Sequence, residues 1–184
     1  MPPAEQPAIG TDRLVLRNWR ESDLAPFAAL TADPEVMEHF PAVLAREESD
    51  RLAEHFSRGI QERGWGMWAV ERRDTAAFVG YVGIQPVTFE SWFTPAVEIA
   101  WRLAKTQWGQ GLATEAAAAS LDYAFGPLGL HEVVAFTVPA NTRSLAVMRR
   151  LGMGFVGDFE HPRVPEGHRL RHHVLYAARP SPTG

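Results

Sequence analysis

The chain has 184 residues, 46% of them hydrophobic and 22% charged, with a formal net charge of −4. That suits one soluble domain with a real core and gives no electrostatic reason to expect nucleic acid or an anionic membrane as a partner. With no cysteine, disulfides, thiolate zinc sites and a covalent cysteine intermediate are excluded, which favours direct attack in any group transfer and leaves serine and other nucleophiles open.

The start, Met1 to Pro7, lacks the basic and apolar regions of a secretion signal, and no apolar run approaches the roughly 20 residues of a membrane span. A cytoplasmic protein is expected. Residues 1–10 carry three prolines and little to bury, so they read as a flexible arm. Arg13 to Trp19 alternates as a strand does, and Glu21-Ser22-Asp23 opens a helix with an apolar face at Leu24, Phe27, Ala28 and Leu30. Asp33-Pro34 breaks that helix, and Pro34 suits the first turn of a short one through His39. Arg46 to Arg63 spaces Leu52, Phe56 and Ile60 as a helix, closed by Gly64. Met67 to Glu71 and Ala77 to Val87 read as a hairpin, with Gly80 and Gly83 marking a bulge or a close backbone approach. Phe89 to Pro95 is a loop carrying Trp92 and Phe93.

Val97 to Leu103 reads as a strand, and Leu112 to Phe125 as an alanine-rich helix with Leu112, Ala116, Ala119 and Tyr123 on one side. Thr114, Glu115 and Asp122 fall toward the outside. Gly126-Pro127-Leu128-Gly129 stops this helix. His131 to Val138 is apolar on both faces, the pattern of a central strand. A helix follows from Thr142 to Leu151, then strands at Phe155 to Phe159 and Arg169 to Ala177. Residues 179–184 read as a disordered tail. No internal repeat or domain boundary is visible, so 11–178 reads as one α+β domain, a sandwich of helices on a mixed sheet.

Two glycines one residue apart, Gly109 and Gly111, lie between the strand 97–103 and the helix 112–125. First-turn N–H groups have no partner within a helix, and the macrodipole adds partial positive charge there. Glycines let a phosphate approach such N–H groups closely. The same pattern also suits a tight turn that holds no ligand. It lacks the third glycine of the dinucleotide fingerprint and the Gly-Lys-Ser/Thr of a P-loop.

Over residues 11–178 the chain resembles the GNAT superfamily of acyl-CoA-dependent N-acyltransferases. It is most similar to the branch of ribosomal-protein N-terminal (serine/alanine) acetyltransferases and their small-molecule-modifying relatives. The resemblance rests on blocks in order: Thr11 to Arg17, Asp33 to Met37, Val79 to Ile84, Val97 to Trp101, Trp108 to Ala116, Asn141 to Met148, and Leu151-Gly152-Met153 with Phe155. It implies a mixed, mostly antiparallel sheet of six or seven strands, helices on both faces, and a splay between the strands 97–103 and 131–138. It also implies acetyl-CoA as co-substrate. The resemblance assigns the N–H groups of Gly109, Gln110, Gly111, Leu112, Ala113 and Thr114, after Trp108, to the CoA pyrophosphate. The backbone of Trp101, Arg102 and Leu103 is assigned to the pantetheine arm. Asn141 is a helix N-cap by position, and the resemblance gives it a second role toward pantetheine.

Amine acetylation needs a neutral amine, a stabilised oxyanion and a proton for the leaving thiolate. Many superfamily members place a tyrosine acid where this chain has Met148. In this branch a serine near Ser144 is the proposed substitute; by position alone it is a surface residue or a cap partner. Glu98 is the nearest acid on the strand 97–103 and a candidate base. Otherwise it is a solvent-facing or arginine-paired carboxylate. Trp92 and Phe93 are candidate acceptor-pocket walls, whereas Trp68 reads as core. Of the late histidines His161, His168, His172 and His173, none shows metal-ligand spacing, and neighbours on a strand face opposite sides, so no metal is expected. The branch usually has aspartate at His172, which makes His172 a candidate for acceptor choice or an alternative base.

The expected activity is direct acetyl transfer from acetyl-CoA to a primary amine, a protein N-terminus or a small molecule, in a ternary complex. The other reading is a non-catalytic acyl-CoA-binding or sensor module. Partners are then a CoA thioester and an amine, in a monomer or homodimer, without nucleic acid or membrane.

Overall fold

The computed structural model describes residues 8–180. These form strands β1 (Ile9–Gly10), β2 (Leu14–Arg17), β3 (Met67–Arg72), β4 (Phe78–Pro86), β5 (Val97–Leu103), β6 (Val133–Thr137), β7 (Gly154–Glu160) and β8 (His172–Ala178). The α-helices are α1 (Leu24–Ala32), α2 (Arg46–Arg63), α3 (Leu112–Phe125) and α4 (Thr142–Arg150). The strands make one sheet in the order β1-β2-β3-β4-β5-β6-β8-β7. Every pairing is antiparallel except β5 with β6.

Alternation along the strands assigns the two faces. Trp68, Val82, Ile84 and Ile99 point to a core shared with Leu112, Ala116 and Leu121 of α3 and Leu145 and Met148 of α4. Tyr81 and Met67 point the other way, to Phe27 and Leu30 of α1 and Ala53 and Phe56 of α2. The α2 ends fall where the sequence puts them, because Gly64 takes the left-handed conformation (φ 82°) that ends the helix.

Several expectations change. The sheet has eight strands, slightly more than the six or seven expected and compatible with them, because Ile9 and Gly10 pair with Leu16 and Val15 where a flexible arm was expected. Two residues are too few to show periodicity. The rest of that arm, and 181–184 of the expected tail, lie outside the described residues. Arg179 forms an ion pair with Glu132 at 2.6 Å.

No helix forms over 34–39; the segment is a run of turns. The Asp33 carboxylate accepts the Glu35 N–H at 2.9 Å, offering the backbone a local alternative to a helix. On α3 the inward side is Leu112, Ala116, Ala117, Ser120, Leu121 and Ala124, with Ala119 and Tyr123 only partly covered. Ser120 turns inward because its hydroxyl donates to the Ala116 carbonyl at 2.9 Å. Glu115 does not face solvent freely. It accepts hydrogen bonds from the Thr11 hydroxyl (2.6 Å), the Arg13 N–H (2.9 Å) and Arg13 Nε (2.6 Å). The turn before β2 is thereby tied to the start of α3.

Candidate active site

The site is where the sheet comes apart. β5 and β6 are in register only at Glu98 opposite Val134, whereas β4 and β5 pair along their whole length. A cleft of about 1210 Å³ occupies the opening. Its walls come from β5, the start of α3, α4, the 35–41 turns and the loop from His161 to Leu170. Gly80 on β4 explains part of the shape of this strand. It has φ 144°, and a Cβ there would collide with the Arg102 carbonyl oxygen, so β4 meets β5 more closely than any side chain allows.

One end of the cleft is made of backbone. Gly109 and Gly111 have φ 73° and 75°, the left-handed region that favours glycine. A Cβ at Gly109 would meet nothing within 4 Å, so the space above the turn is open. Among the described residues no acceptor meets the N–H groups of residues 109–114, and α3 has no side-chain cap. The turn is pinned from behind: the Gln110 carbonyl accepts from Arg13 Nη1 at 2.9 Å, and its side chain accepts from Arg72 Nη1 at 3.0 Å. Gln110 therefore contributes backbone but no wall. Trp108 donates Nε1–H to the Leu103 carbonyl at 3.0 Å, and the Arg143 guanidinium lies 4.1 Å from its ring. The buried Thr114 hydroxyl has no partner. Open N–H groups, a helix N-terminus, an arginine and an orphaned hydroxyl fit a pyrophosphate.

At the middle of the cleft Asn141 caps α4, its Oδ1 accepting the Ser144 N–H at 3.2 Å. Its Nδ2 donates to Ser144 Oγ at 3.1 Å and to Thr137 Oγ1 at 3.0 Å. Trp101 Nε1–H also donates to Ser144 Oγ, at 3.3 Å. Two donors thus occupy the oxygen of Ser144 and leave its own hydrogen to be given elsewhere. Met148 is buried one turn on and offers no proton.

The far end is built of side chains. Glu98 accepts a hydrogen bond from Gln85 Nε2 at 2.7 Å, across from it on β4. Burial pushes its carboxyl up to about 7, against the Gln85 hydrogen bond and the charge of Arg163. His161 and His173 join it, their rings 5.0 Å apart. Burial, then the charges of His173 and Arg163, push His161 down to about 4. Burial lowers His173 as well. At neutral pH both imidazoles are uncharged, and Glu98 is poised between acid and base.

Three expected acceptor residues lie elsewhere. His172 is half exposed at the start of β8, with Nδ1 3.0 Å from Glu160. The strand alternates, so burying Leu175 and Ala177 beside Phe159 turns His173, not His172, into the cleft. Trp92 is 60% exposed, lies against Gly157 and donates to the Asp158 carbonyl at 3.2 Å. Phe93 packs with Phe89, Phe136 and Phe159 behind the cleft wall. Sequence reading missed His161, His173 and the side chain of Arg102. The parity of β8 carried the signal for His173; nothing local marked the other two.

Residues 13–154 match the family described as "Acetyltransferase (GNAT) domain". The uncharacterized protein YkkB of Bacillus subtilis is 32% identical over 79% of this chain and 84% of its own. A crystal structure of a GNAT-family acetyltransferase from Bacillus anthracis superposes with a TM-score of 0.79 at 25% identity, covering 94% of this chain and 98% of that one. A ribosomal L7/L12 α-N-protein acetyltransferase in complex with coenzyme A shares the fold, with a TM-score of 0.74 at 19% identity over 94% and 98% of the two chains. This chain belongs to the GNAT acetyltransferase family, whose enzymes use acetyl-CoA.

Proposed function

We propose that the protein moves the acetyl group of acetyl-CoA directly to a primary amine, with both substrates in the cleft at once. The observation that carries this reading is the single cleft joining the glycine turn, Ser144 and Glu98 across the splayed sheet. Residues 109–114 and Arg143 hold the pyrophosphate at one end, and Asn141 and the β5 backbone guide the pantetheine toward the middle. Glu98, as carboxylate, takes a proton from the incoming ammonium. The freed nitrogen pair attacks the thioester carbonyl, and β5 backbone N–H groups steady the oxyanion. As the carbon–sulfur bond breaks, Ser144 gives its hydrogen to the departing sulfur and regains one, through solvent, from the second proton that the acylated nitrogen loses. Glu98 then returns its proton to water. The products are the amide and free CoA.

The test is thiol release from acetyl-CoA with a panel of amines and N-terminal peptides. A chain without cysteine adds no thiol background. Amine-dependent release, with the acetylated amine found by mass spectrometry, is expected. Tight acetyl-CoA binding with no release on any amine favours the acyl-CoA-binding module instead. The acceptor named for the ribosomal L7/L12 enzyme does not transfer at this identity, so N-terminal peptides and small amines are tested on equal terms.

A further inference from the structure

On β5, Glu98 and Arg102 lie on the same face, four residues and about 13 Å apart along the strand. Each sits opposite a β4 residue, Gln85 for Glu98 and Tyr81 for Arg102. Glu98 has a partner in Gln85. Arg102 makes no hydrogen bond or ion pair among the described residues, and its Nε is buried without an acceptor. Its guanidinium lies 3.7 Å from the Phe40 ring centroid and 5.3 Å from that of Tyr81. All three residues line the cleft.

The neighbouring charges do not neutralise it. Glu35 is engaged by Lys105 at 2.5 Å. Glu98 is held by Gln85, and Arg163 adds another cation, tied to Thr88 by its carbonyl (2.8 Å) and hydroxyl (2.9 Å). His39 brings a buried Nδ1 with no partner. Arg102 is not placed for the CoA phosphates. Its side chain leaves β5 on the Tyr81 face with α1 and α2, whereas the glycine turn opens α3 on the other face.

A guanidinium held against the Phe40 ring and near that of Tyr81, with no protein acceptor for its donors, is a pre-organised carboxylate fork. Leaving its buried Nε unpaired is costly unless a ligand supplies the acceptor. We infer that the acceptor is a primary amine that also carries a carboxylate, which Arg102 binds while Glu98 receives the amine proton. This rests on the transferase reading above. It deepens that reading by naming the acceptor class: an amino acid with amine and carboxylate well apart, or a peptide N-terminus followed by an acidic residue.

The test compares each acid with its own amide in the thiol-release assay. One arm uses ω-amino acids of graded length, the other peptides with Asp or Asn near the N-terminus, which separates the small-molecule source from the peptide source. The wild type is expected to prefer the acid of one arm by about 10- to 100-fold in kcat/KM, through KM. Arg102→Met is expected to erase that preference by lowering kcat/KM for the acid to that of its amide, and Arg102→Lys to restore part of it. A merely structural Arg102 would lower acid and amide together. Release without any preference for the acid, or an equal loss on both in Arg102→Met, overturns the inference while leaving the transferase reading standing. No release from any amine overturns both.

Discussion

The two ends of the cleft are built from different materials. The proposed CoA end is backbone: a glycine turn and the free N–H groups of α3, braced by Arg13, Arg72 and Glu115 from outside. The proposed acceptor end is side chain: Glu98 and Arg102 from β5, His173 from β8, and His161, Arg163 and Phe40 from loops. A phosphate needs only a conformation that glycine allows, so its site tolerates change around it. A proton transfer needs one carboxyl at one buried place.

The largest effect is therefore expected at Glu98. Glu98→Gln keeps the hydrogen-bonding shape but removes the proposed base, and turnover should fall by about 10²- to 10³-fold with acetyl-CoA binding unchanged. Steady-state kinetics beside calorimetric titration of acetyl-CoA reads both. Gly111→Val tests the other end. A side chain at φ 75° is strained and comes against the Arg13 guanidinium that braces the turn, so acetyl-CoA affinity should drop by about 100-fold while circular dichroism stays native. Normal affinity in that variant would remove the turn from the CoA site. Ser144→Ala lies between the ends and should lower turnover by about 10²-fold with little change in acetyl-CoA affinity. Equal loss of binding and turnover would make Ser144 part of the cradle instead.

Glu98 also links the acceptor end to stability. Its folded carboxyl titrates near 7 against an ordinary value of 4.5, so between these values the folded state binds more protons than the unfolded one. Stability from this group is therefore lost as pH rises from about 4.5 to 7. His161, lowered to about 4 from 6.5, has the opposite sign and adds stability as pH rises through that range. Near pH 5 to 6 the two oppose each other. Glu98→Gln should consequently raise the melting temperature most above pH 7, by the equivalent of about 1–3 kcal/mol, and least below pH 4.5. The smallest effect is expected at His172: its alanine variant should change kcat/KM by less than about twofold, because the ring sits outside the cleft beside Glu160.

The same division explains what could be read from the chain itself. The β5 strand at 97–103 and the α3 helix at 112–125 fall where the sequence puts them, because glycines and alternating apolar residues mark their ends locally. The 34–39 turns do not, since the Asp33 side chain wins the N–H that a helix would use. His172 and His173 differ only by strand parity, which the burial of Leu175 fixes. Trp92 and Phe93 look like pocket walls on a loop, yet one covers Gly157 and the other completes an aromatic cluster. Arg102 falls within the expected CoA-binding backbone, and only the β4 register places its side chain beside Tyr81 and Phe40. Such side-chain convergence comes from tertiary packing and has no local signature.

The pH dependence of kcat/KM for the best amine, in the wild type and in Glu98→Gln, tests the central claim most directly. The wild-type profile should rise with an inflection near 7, separate from the amine's own ionisation at higher pH, and Glu98→Gln should lose that inflection. The same inflection surviving in Glu98→Gln would contradict the account.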